Sequence, residues 1–181
     1  MIATLLAIVT LFTGDPEGHV RLRPSDDRTA AMIALGLEKS VTLRGLIEEI
    51  EAGDVIIYVG REHFLPGRMT GRMKLIGRAG ARRYARIAID AELPAPHFVA
   101  ALAHELQHVS ELIAHRHVED QAAVANLYRL IGREYRAHGR AVFETEAARR
   151  MGAAVLAEMV AARQLESRTT TLHFARGVRQ R

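Results

Sequence analysis

The pentapeptide His104-Glu105-Leu106-Gln107-His108 most constrains what this chain can fold into, because two histidines four apart become neighbours only on a helix. There they lie one above the other, and both imidazoles can reach a single metal ion. The flanking residues predict that helix over about 96–115. Pro96 stands where a helix can start. Val99, Leu102, Leu106, Val109 and Ile113 recur at spacings of three and four, which makes one aliphatic face. His97, His104, His108, Glu111 and His115 fall on roughly the opposite face. The alternative for that face is a solvated polar surface that happens to be rich in histidine.

Two imidazoles with a glutamate beside the first are the minimum equipment of a zinc hydrolase. Zn2+ in such enzymes takes three protein ligands and leaves one position to water. With His104 and His108 as two ligands, the third must come from another segment. A metzincin-type histidine would stand six residues after the second, but that position is Ala114, and Glu111 replaces the required glycine. His115 and His117 read instead as a helix-end and a loop histidine.

The segment from Phe143 to Gly152 is the better source. A last helix expected over about 141–163 puts Glu144, Ala148, Met151, Val155 and Met159 on one stripe, so the Glu144 carboxylate points inward. A buried carboxylate needs a partner. Glu146 lies about 160° around that helix, where Arg149 and Arg150 neutralise it from three and four residues away. The expected metal ligands are therefore His104, His108 and Glu144, with Glu105 as catalytic base. The competing role for Glu144 is a buried acid paired with an arginine.

Together, His104-Glu-Leu-Gln-His108 and Glu144-Thr-Glu-Ala-Ala-Arg-Arg-Met-Gly152 resemble the gluzincin pattern, H-E-x-x-H followed by E-x-x-A-D-x-x-G. It occurs in CAAX-processing and stress-response metallopeptidases and in the compact minigluzincins. The resemblance implies a zincin-like fold and a zinc-dependent metallopeptidase in which Glu105 takes the proton of the attacking water. It also implies that the strand ahead of the active helix, about 83–90 here, lies along the cleft and pairs with extended substrate. One departure matters. The family's aspartate, which steadies the first histidine, is Ala148 in this chain, so another group must do that work or the support is weaker. The membrane spans of the CAAX-processing members are also missing.

The rest of the chain supports one α+β domain. At 181 residues it is long enough to bury a core without staples, and with no cysteine it has neither disulfides nor thiolate ligands. Helices are expected from Ser25, through Ala30, Ile33, Ala34 and Leu37, and from Ser40 or Thr42, through Leu43, Leu46, Ile47 and Ile50. Strands are expected at 54–59, 69–76 and 83–90, with Gly67, Gly71, Gly77 and Gly80 as punctuation. Helices resume from Pro94 and fill the C-terminal half, including one over about 120–135. The result is a small antiparallel or mixed sheet of three to four strands packed on the H-E-x-x-H helix.

The domain is expected over 15–163, with a basic, fraying tail at 164–181 and an uncharged apolar leader before it. The leader (1–13, closed by Gly14-Asp15-Pro16) suits an export signal or anchor as well as a buried element. Between Arg61 and Arg86, eight basic residues (Arg61, Arg68, Arg72, Lys74, Arg78, Arg82, Arg83 and Arg86) face one acid, Glu62. The stretch suits either the solvated side of strands or a nucleic-acid surface like that of SprT-like metalloproteases. A peptide or protein substrate is the leading expectation. A nucleic-acid-associated protease and a non-catalytic zinc-binding module are the alternatives.

Overall fold

The structure is a computed structural model that describes residues 21–137 and 140–178. The apolar run at 1–13 lies outside the described residues. The chain runs β1 (Leu22–Pro24), α1 (Asp27–Lys39), α2 (Val41–Glu51), β2 (Val55–Glu62), β3 (Gly71–Ala79), β4 (Arg82–Asp90), α3 (Ala95–Ala114), α4 (Gln121–Ile131), β5 (Arg133–Ala137), β6 (Arg140–Glu144) and α5 (Glu146–Val178).

Side chains set most of the boundaries. The Asp26 carboxylate caps α1 by accepting the Thr29 N–H at 2.8 Å. The Ser40 hydroxyl caps α2 by accepting the Leu43 N–H at 3.0 Å. Both satisfy backbone donors that the first helical turn leaves open. Glu158 of α5 then accepts from the Ser40 hydroxyl, the Thr42 hydroxyl and the Thr42 N–H. A negative charge at a helix start is favourable, and here it ties the last helix to the second.

The main sheet is mixed, in the order β1-β2-β4-β3. β1 and β4 run parallel to β2, and β3 runs antiparallel to β4. Alternate residues of β2 and β4, namely Val55, Ile57, Val59, Ala85, Ile87 and Ile89, share one buried cluster with Leu43, Ile47 and Ile50 of α2 and Val99, Leu102, Leu106 and Val109 of α3. That is the period of two meeting the period of 3.6. A second cluster, Leu75, Leu112, Val118, Val124, Leu127 and Tyr128, anchors α4 to β3 and to the end of α3. Beside it, Arg83 is almost fully buried. It holds Asp54 through two bonds of 2.7 and 2.9 Å and donates to the carbonyls of His115 and Val118.

Four expectations need correction. The strand at 83–90 is β4, and it is hydrogen-bonded on both sides, so it has no free edge for substrate; among the described residues the outer strands of the sheet are β1 and β3. The helix expected over 120–135 stops at Ile131, and residues 133–144 form the β5–β6 hairpin, so the C-terminal half is not wholly helical. The last helix begins at Glu146, not near 141, because Thr145 caps it: its hydroxyl accepts the Ala148 N–H at 3.1 Å. That helix continues to Val178 through the segment expected to fray. Among the described residues, no helix is long and apolar enough to cross a membrane.

Candidate metal centre

α3 crosses the sheet with its aliphatic stripe buried and its histidine stripe turned toward the junction of β6 and α5. Its length follows from good helix formers after Pro94 and Pro96 and from the absence of any interior glycine or proline. Its mid-section brings His104 and His108 against Glu144, the last residue of β6. One donor atom from each of the three lies within 4.8 Å of the others. The imidazoles stand edge to face, 5.0 Å between ring centres. His104 Nε2 is 3.5 Å from Glu144 Oε1.

That oxygen provides the test of fit. Glu144 Oε1 is buried and, among the described residues, accepts no hydrogen bond. A buried acceptor without a partner is costly, and a divalent cation between it and the two imidazoles removes the cost. Two neutral nitrogens and one carboxylate oxygen are also the donor set that zinc accepts. The residues present fit the ion.

The local electrostatics follow from burial. Desolvation, then the charge of His108, depresses His104 to a pKa of about 4, so His104 keeps a free lone pair at neutral pH. Burial opposes charge on His108 as well, but the Glu111 hydrogen bond and the charges of Glu105, Glu111 and Glu144 outweigh it and raise its pKa. Burial raises Glu144. Glu105, at 7% exposure, is pushed up to about 7 by desolvation, against the pull of His108 and of a hydrogen bond from the Met73 N–H.

Glu105 rests on β3, an outer strand of the sheet. A β-carbon on Gly71 would lie 2.8 Å from its Oε1 and 2.9 Å from its Cγ, so the carboxylate occupies space that only glycine leaves open. Gly152 does the same for the helix crossing. A β-carbon there would meet the Ala100 carbonyl at 3.2 Å and the His104 Cβ at 3.3 Å. α5 can therefore pass α3 closely beside the first histidine. Ala148, one turn earlier on α5, is fully buried.

Two residues here were not singled out from sequence as part of a site. Glu111 Oε2 is 2.9 Å from His108 Nδ1, and its Oε1 accepts from the Thr145 hydroxyl at 2.6 Å. Glu111 was legible as the residue three after His108 on the same face. Thr145 falls inside the helix expected over about 141–163, and its capping role emerges only from the structure. The hydroxyl of Tyr128 donates to the His108 carbonyl at 2.9 Å, and His115 Nδ1 faces the Glu111 carbonyl at 2.7 Å. Neither His97, His115 nor His117 joins the cluster. Glu146 is exposed and paired with Arg149 at 2.6 Å, which lowers its pKa.

Five cations of the basic stretch have acidic partners. Arg83 is buried on Asp54, Arg61 lies 3.7 Å from Asp26, and Arg78 pairs with Glu119. Arg72 and Arg86 share Glu62. Comparison of the chain with protein-family models, with curated proteins and with solved structures yields no match.

Proposed function

We propose that this chain is a zinc-dependent metallopeptidase with a zincin-like catalytic core. His104, His108 and Glu144 hold the metal, and Glu105 is the general base. The observation that carries the reading is the buried Glu144 Oε1, which among the described residues accepts no hydrogen bond, beside two histidines one helical turn apart.

When bound, zinc supplies a water acidified to near neutrality and polarises the scissile carbonyl. The chain's own residues do the rest. Glu105, one residue from a ligand and seated against Gly71, takes the proton of the attacking water and passes it to the departing amine. Its burial favours this, since a base works best with a pKa near the operating pH. His104, neutral at that pH, offers its nitrogen without first losing a proton. β3 runs past Glu105 as an outer strand, and among the described residues no strand pairs with its outer edge, so an extended peptide would bind there as an added strand.

The decisive experiment compares wild type with Glu105→Gln. Zinc should remain stoichiometric in both, while cleavage of a peptide library disappears in the variant. Undiminished cleavage by Glu105→Gln would remove the base assignment. Bound zinc in Glu144→Ala and Glu146→Ala tests the third ligand: loss is expected only in Glu144→Ala, and the reverse pattern would move the ligand to Glu146.

A further inference from the structure

We infer that Glu111 is a positioning residue whose one carboxylate sets both ligand-bearing elements, holding His108 on α3 with one oxygen and the β6–α5 junction next to Glu144 with the other. The inference rests on the metal site proposed above and assigns what steadies it.

Glu111 has 11% of its side chain exposed, a poor place for a lone charge. Its oxygens are nonetheless both used. The contact from Thr145 is 2.6 Å and that to His108 is 2.9 Å, lengths typical of hydrogen bonds to an ionised carboxylate. The two bonds reach different parts of the site. The bond to His108 Nδ1 fixes the tautomer in which Nδ1 carries the proton and Nε2 presents its lone pair. The bond to Thr145 reaches the residue that directly follows Glu144 in the chain.

Thr145 is itself held. It is 3% exposed, and its hydroxyl oxygen accepts the Ala148 N–H at 3.1 Å, which leaves its proton free to point at Glu111. A helix cap and a ligand clamp therefore share one hydroxyl. Through it, the distance between the histidine pair and Glu144 depends on a rigid three-atom bridge, the Glu111 carboxylate, and not on loop conformation. The support that resemblance expects from an acid at position 148, acting on the first histidine, is met here by an acid at 111 acting on the second.

The test measures zinc affinity by chelator competition, and the visible spectrum of the cobalt-loaded form, in the full chain and four variants. Glu111→Gln keeps the shape and loses the charge; Glu111→Leu loses both bonds. Thr145→Ser keeps the hydroxyl; Thr145→Val loses it. Outer groups of this kind control metal affinity by about 10–100-fold. Affinity should fall about tenfold in Glu111→Gln and Thr145→Val, about 100-fold in Glu111→Leu, and stay within about twofold of wild type in Thr145→Ser.

At saturating cobalt, the spectrum should shift in Glu111→Gln and Thr145→Val and match wild type in Thr145→Ser, a pattern that loss of a helix cap alone would not produce. Should Glu111→Leu fail to fold, the near-isosteric Glu111→Gln and Thr145→Val carry the test. Wild-type affinity and spectrum in both would overturn the inference while leaving the metal site intact. Absence of tight zinc in wild type itself would overturn the site, and the inference with it.

Discussion

Replacing Gly71 by alanine should separate catalysis from metal binding. The added β-carbon would sit 2.8 Å from Glu105 Oε1 and 2.9 Å from its Cγ, where ordinary contact begins near 3.4 Å. The shortfall is about 0.6 Å. Gly71 lies at the start of β3 and is not among the residues with positive φ, so alanine is compatible with the backbone. The strain therefore falls chiefly on the flexible Glu105 carboxylate, which must swing away, and less on Ile89 Cδ1 at 3.1 Å. Misplacing a catalytic group by about 1 Å can cost about 100-fold in rate, so a shift near 0.6 Å should cost about tenfold. The three atoms nearest the new methyl belong to Glu105 and Ile89 and to none of the three ligand residues, so bound zinc should stay at the wild-type level. The assay is kcat on a cleavable quenched-fluorescence peptide, with metal content measured on the same sample. A normal kcat would show that the carboxylate's seat on β3 is irrelevant to the chemistry. Loss of zinc along with activity would show that the edge of β3 supports the ligands and not the base.

Other perturbations reach other parts of the molecule. Gly152→Ala puts a methyl 3.2 Å from the Ala100 carbonyl and 3.3 Å from the His104 Cβ, neither of which can rotate away; denaturant melts should show a loss of about 1–3 kcal/mol, with weaker zinc binding. Asp54→Asn removes the charge facing Arg83, which is 1% exposed, and should cost about 3 kcal/mol near neutral pH, a fall in Tm of roughly 10 °C. The Arg83 hydrogen bonds hold the Asp54 pKa below its ordinary value. That stability is thus fully present above the unfolded value of about 3.9 and lost as pH falls through the folded one. The gap between wild type and Asp54→Asn should narrow in acid, and a constant gap down to pH 2 would contradict it. Zinc at about 100 times its Kd should add about 2.7 kcal/mol to stability, read as a rise in Tm that Glu144→Ala abolishes.

What could be read from sequence divides along the reach of each signal. α3 was legible almost residue for residue, because a 20-residue helix with two contrasting faces repeats its period many times. β2 and β4 were legible as β-branched and alternating runs. The order of the strands was not. Nothing local to residues 83–90 says that β3 folds back to cover their outer edge, and so an open edge was expected where the strand is paired on both sides. β1 has three residues, too few to show any period. The β5–β6 hairpin was hidden by residues such as Arg133, Glu134, Arg140 and Ala141, whose types suit a helix as well as a strand edge. Tertiary packing of Phe143 against Tyr128 decides there.

Glu144 shows how a residue can be read correctly from a wrong element. The stripe Ala148, Met151, Val155 and Met159 is the inner face of α5, as the spacing predicted. Extending it back by one turn assumed that the helix already existed at 144. It does not, because Thr145 caps the helix, and Glu144 ends a strand. The inward direction survives for a separate reason. A residue just ahead of a helix whose face is pressed on α3 enters at that same interface, whether its own φ and ψ are helical or extended. What the helical assignment lost was Thr145, placed by a continuous helix at an unremarkable position between two glutamates. Only once the helix starts at Glu146 does its hydroxyl face both the Ala148 N–H and the Glu111 carboxylate. A shift of a few residues in a helix boundary thus left Glu144 in view as a candidate and concealed the Thr145–Glu111 hydrogen bond beside it.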